Sequence, residues 1–171
     1  MTTAGRPEPV APSPAPVYRR SEVALAHAVY GLILTLATLG ELINYEVTAG
    51  VSVAWLLGAG AVLLLAHLFS DLLAHVAATE DDPDWSEIVS IGREDVAVTG
   101  GAVGAAVVMA VVWLADLDAE RALVGCVGLG LLAVGTLSYL ALPQHGRPLR
   151  LVMGAAAVLL GVVIVTLENL F

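Results

Sequence analysis

Along the chain, long apolar runs alternate with short polar breaks. Five runs stand out, at residues 22–44, 51–78, 96–117, 122–142 and 149–167. A hydrocarbon core of roughly 30 Å takes about 20 residues of helix. Lipid offers no water to backbone groups, so a run of that length must satisfy its own N–H and C=O groups as a helix. The pattern predicts an all-α, polytopic membrane protein with five transmembrane helices within residues 21–171. Residues 1–20 are different in kind. "MTTAGRPEPVAPSPAPV" is rich in Pro and Ala and has no apolar centre, so it is expected to be a disordered cytoplasmic tail. It has no h-region, so no signal peptide is expected.

The polar breaks set the orientation. Arg6, Arg19 and Arg20 precede the first run, Arg93 lies between the second and third, and Arg147 and Arg150 lie between the fourth and fifth. All six fall on one side, and only Arg121 falls on the other. The positive-inside rule then places the N-terminus in the cytoplasm and the C-terminus outside. Residues 79–95, "TEDDPDWSEIVSIGRED", form a short acidic cytoplasmic segment. In it Asp84 is expected to cap a stub helix whose Trp85, Ile88, Val89 and Ile91 rest on the membrane interface.

Composition agrees with the pattern and removes some partners. Hydrophobic residues make up 58% of the chain and charged ones 13%, with mean hydropathy +0.89. Soluble domains average about 45–50% and about 25%. Seven arginines face sixteen acids, for a net charge of −9, which argues against nucleic acid as a partner. The expected surroundings are a lipid bilayer, as a multi-pass protein of the cell membrane. With a single cysteine, Cys126, no disulfide can form within the chain.

Candidate chemistry lies in the second run, where "AHLFSDLLAH" places His67, Asp71 and His75 at four-residue steps. Each step moves about 40° around a helix, so the three form one polar stripe. Its depth is expected to run from mid-membrane at His67 to the cytoplasmic edge at His75. Ionisable groups at such depth cost several kcal/mol against lipid, so the stripe should face the bundle. The short connection 45–50 favours an antiparallel hairpin of the first two helices, bringing His27 and Tyr30 opposite the stripe. Glu22, Glu94, Asp95 and Met153 are expected at the same level as accessory groups. Gly100 and Gly104, in small-xxx-small spacing, are read as helix-packing positions.

Two imidazoles and a carboxylate suit a divalent transition metal such as Zn, Fe, Mn or Ni as ligand or cargo. They equally suit a proton relay, because imidazole titrates near neutral pH. They also suit a scaffold or accessory subunit, in which the stripe merely bonds across helices and the acidic segment recruits a partner. No GxSxG, GxxxxGK[ST] or HExxH pattern occurs, so an enzyme is not expected.

Three stretches resemble the vacuolar iron transporter family. "AHLFSD" aligns His67 and Asp71 with the Met and Glu of that family's helix 2 motif S-M-A-A-G-E. "VYGLILT" keeps the Gly-Leu and Thr frame of N-D-G-L-V-S-T in helix 1, and "GRPLRLVMGAAAVLLG" is similar to its last span. The resemblance implies five helices, a homodimer, and a metal path through His67 and Asp71. Tyr30 stands where the family has an Asp, and the 79–95 segment is too short for the family's metal-binding insertion. The His-x-x-Tyr-Gly of residues 27–31 is also similar to small actinobacterial integral membrane proteins, a likeness that implies no function.

Overall fold

The computed structural model describes residues 18–45, 47–79, 84–168 and 170. The tail of residues 1–17 lies outside them. Five helices follow one another: α1 (Tyr18–Asn44), α2 (Ala49–Thr79), α3 (Trp85–Leu114), α4 (Ala119–Leu140) and α5 (Arg147–Glu168). All five are long and apolar enough to cross a membrane, as the hydropathy pattern predicts.

Helix α3 starts about three turns earlier than its apolar run. The segment expected to be a separate interfacial stub is the first part of one continuous helix from Trp85 to Leu114. At its start the Ser86 hydroxyl donates to Asp84 Oδ1 at 2.8 Å and the Ile88 N–H donates to the Asp84 carbonyl. No Pro occurs in "WSEIVSIGRED" to interrupt the helix.

The helices alternate in direction, so α1 and α3 run parallel and α2 antiparallel to both. The end where α1 and α3 start is called the near end, and the other the far end. Far ends are level: Gly50 lies against Trp113, and Gly40 against Glu168. At about 1.5 Å per residue, α4 and α5 are about 33 Å long, whereas α1, α2 and α3 reach about 40–46 Å. The surplus therefore projects at the near end.

Helix α3 sits between α1 and α2 and packs closely on both, while α4 packs on α5 and α1. Helices α1 and α2 are antiparallel, as expected, and bring His27 and Tyr30 to His67, but elsewhere they meet only sparingly. Small residues explain the choice. In lipid, where apolar surface alone does not drive helices together, close contact goes to backbones that can approach. Gly31 of α1 lies so near Val98 that an added Cβ would run into the Val98 carbonyl, and Gly101 would meet Leu32 and Thr35. Gly60 of α2 faces Ala102, and Gly135 of α4 abuts Gly154 of α5. Gly100 and Gly104, the expected packing pair, meet nothing within 4 Å. They line a groove bounded by α1, α3 and α4.

The core fills the far half. Leu39, Leu42, Leu56, Met109 and Leu123 are almost wholly buried there, joined by Ala105, Ala106 and Cys126. At the far-end turn, Asp118 caps α4 by accepting the Arg121 N–H at 3.2 Å. Asp116 closes α3 in the left-handed region (φ 51°). Leu117 N–H reaches the Val112 carbonyl and Asp116 N–H that of Trp113, a Schellman closure of the orphan carbonyls.

Candidate functional site

The polar groups that the fold brings together lie at the near end, one from each of the first three helices. Parallel packing of α1 and α3 sets Gly31 on Val98, and one turn nearer the end the same register sets His27 on Asp95. His27 Nδ1 lies 3.9 Å from Asp95 Oδ1, and the Asp95 side chain has no solvent exposure. The His67 ring meets His27 edge-on at 5.6 Å and Tyr30 at 5.3 Å with a 47° tilt. His67 Nδ1–H donates to its own helix at the Leu63 carbonyl, 3.3 Å away. In the neutral ring this leaves Nε2 as an acceptor.

The three helices place these groups at one depth. Measured from the far ends at about 1.5 Å per residue, His27 lies about 26 Å along α1, His67 about 27 Å along α2, and Asp95 about 28 Å along α3. An apolar layer of roughly 30 Å starting at the far ends would thus finish just beyond the cluster. The apolar span of α2 continues past this level, from Ala49 to Ala77.

The remaining candidates separate from this cluster. Asp71, one turn further out on α2, is exposed, and His75 is half-buried in the projecting part. Tyr30 contacts His67 but leaves 46% of its surface open. Met153 is exposed on α5, which packs on α4 and α1. The side chains of Glu22 and Glu94 lie outside the described residues. Among the described residues, no three His, Cys, Asp or Glu side chains converge as metal ligands would. The single stripe of α2 therefore divides. His67 meets His27 and Tyr30 of α1, while Asp71 and His75 continue outward.

Asp95 is the residue whose weight the sequence understates. It stands in the acidic "GREDV" and reads as the end of a loop, yet it opens the buried stripe of α3. Asp95, Val98, Ala102, Ala105 and Met109 recur at three- and four-residue steps and are all buried. That spacing was the available signal.

Toward the far end the cluster meets apolar packing. Among the described residues, the buried polar or charged side chains are Thr35, Ser52 and Asp95. Thr35 Oγ1 donates to the Gly31 carbonyl at 2.8 Å, and Ser52 Oγ to that of Thr48 at 3.1 Å. Both hydroxyls are thus turned back on their own helices, and Leu36, Leu39 and Leu56 are buried in the same bundle.

No protein-family model matches the chain, and no curated protein or solved structure is similar to it.

Proposed function

We infer that this multi-pass membrane protein senses protons, through the His27–Asp95 pair and the His67 ring beside it. One observation carries the reading: a fully buried carboxylate lies 3.9 Å from an imidazole nitrogen, at the near end of an otherwise apolar bundle. Imidazole gains or loses its charge between about pH 5 and 8. In a site of low polarity, charging one member of such a pair changes the local energy far more than it would in water. The pair joins α1 to α3, so its protonation would alter how these helices hold together.

Sensing is favoured over transport because the space onward from the cluster is lined by apolar side chains and by Thr35 and Thr38, whose hydroxyls are turned back on their own helix, so a proton finds no onward relay there. A proton is favoured over a divalent metal because, among the described residues, no three His, Cys, Asp or Glu side chains converge as metal ligands would. The iron-transporter resemblance would need Asp71 beside His67, and Asp71 points outward. In this reading the protein is not an enzyme. It lies in the cell membrane with the near end, which carries most of the arginines, in the cytoplasm. A second copy packed on the groove beside Gly100 and Gly104 would make it a homo-oligomer, since these glycines leave room for a close helix.

The test is hydrogen exchange on the full chain in lipid nanodiscs at about pH 5 and about pH 8, corrected for intrinsic rates. Proton sensing requires α1 and α3 amides near His27 and Asp95 to change protection with pH, and Asp95→Asn and His27→Gln to remove the change. Protection independent of pH in the wild type would refute the reading. A proton flux in proteoliposomes that Asp95→Asn abolishes would show a carrier instead.

A further inference from the structure

The sparing contact between α1 and α2 leaves a seam, and the seam is a cavity of about 550 Å³. Its walls include Leu34 and Thr38 of α1 and Trp55, Gly58, Ala59 and Leu63 of α2. This volume falls within the roughly 300–1,000 Å³ of small-molecule sites. The lining is apolar in effect, because the Thr35 and Thr38 hydroxyls donate to the Gly31 and Leu34 carbonyls at 2.8 and 3.1 Å. Gly58 keeps the cavity open; a Cβ there would meet nothing within 4 Å.

The near end of the seam is polar. Leu34 and Leu63 line it, and one helical turn further out on each helix stand Tyr30 and His67, in ring contact at 5.3 Å. The mouth thus offers a phenol O–H as donor and, in neutral His67, Nε2 as acceptor. From His67 to Trp55 the seam extends about 18 Å along α2, long enough for most of a lipid tail.

We propose that this seam binds a single-chain, uncharged amphiphile from the bilayer, its oxygen-bearing head at Tyr30 and His67 and its tail running toward Trp55. One seam between two helices takes one tail. The residues that line the seam include no charged side chain to pair a charged head, and Asp71, exposed one turn beyond His67 on α2, would oppose an anionic one. An uncharged head with hydroxyl and carbonyl oxygens suits a phenol and an imidazole. This site goes beyond proton sensing and does not depend on it, since binding needs neither Asp95 nor a change in pH.

The experiment uses the full chain in phosphatidylcholine nanodiscs, with Trp85→Phe and Trp113→Phe so that Trp55 alone fluoresces. Monoolein brominated toward the end of its chain serves as the probe. The expected result is saturable quenching that unlabelled monoolein competes away. Gly58→Leu and Ala59→Leu, which fill the seam, should abolish the saturable part, and Tyr30→Phe or His67→Leu should weaken it about three- to tenfold. Quenching that rises only linearly with probe would overturn the proposal. So would equal competition by oleate, oleylamine or a two-chain lipid, or unchanged binding in both seam-filling variants. A Gly58→Leu protein that changes from dimer to monomer in detergent would also overturn it, by showing that a second copy fills the seam.

Discussion

At the scale of single residues, two kinds of position carry the fold and the site: glycines at helix crossings and the carboxylate Asp95. Gly31 is the most constrained, since its missing Cβ is the space that the Val98 carbonyl occupies. Gly31→Ala should force α1 and α3 apart and cost about 1–3 kcal/mol or more. Gly100→Ala, on a helix face with nothing within 4 Å, should be neutral or gain up to about 1 kcal/mol of helix propensity. Unfolding of both variants in the same detergent, compared with the wild type, checks the contrast; equal effects would contradict the crossing. The sequence shows sixteen glycines after the tail and cannot tell which of them face a neighbour. Small-xxx-small spacing singled out Gly100 and Gly104, whereas the close approaches fall at Gly31, Gly101, Gly135 and Gly154. Spacing marks a face as smooth; the partner is decided by how all five helices fit.

At the scale of elements, helix existence was legible and helix ends were less so. Twenty apolar residues in lipid leave the backbone no alternative to a helix. The ends depend on capping and on how far a helix can project into water, and hydropathy reports neither. Hence α3 begins at Trp85 instead of near Val96, and this extension converts Asp95 from a loop acid into the buried partner of His27. The far-end turn makes a separate prediction. Asp116 takes a left-handed conformation that glycine adopts without steric cost. Asp116→Gly should leave the fold intact and stabilise it by no more than about 1 kcal/mol. Asp118→Ala, which removes the cap on α4, should destabilise by about 1 kcal/mol. Equilibrium unfolding of the pair gives the two signs, and a loss in Asp116→Gly would show that its side chain matters there. At the near end, Arg150 ties α5 to α4. Its guanidinium lies 3.9 Å over the Tyr139 ring, and its Nε–H donates to the Tyr139 carbonyl at 3.0 Å.

At the scale of the whole molecule, three helices outreach two, and the polar groups gather where the surplus begins. The ionisable residues of α2 part company there: His67 makes ring contacts with α1, whereas Asp71 is exposed. The sequence could not show this division, because four-residue steps place all three on one stripe. The bundle keeps its far half for packing and its near end for chemistry. Homo-oligomer formation through the Gly100 and Gly104 face predicts that Gly104→Ile lowers the dimer fraction in detergent without unfolding the chain. An unchanged mass would remove that face from consideration.

The central claim is that protons bind at the His27–Asp95 pair. Infrared difference spectroscopy of the protein in lipid, between about pH 5 and about pH 8, tests it most directly. Proton binding there predicts imidazole and carboxyl bands in the wild-type difference spectrum that both Asp95→Asn and His27→Gln remove. A spectrum left unchanged by either substitution would contradict it.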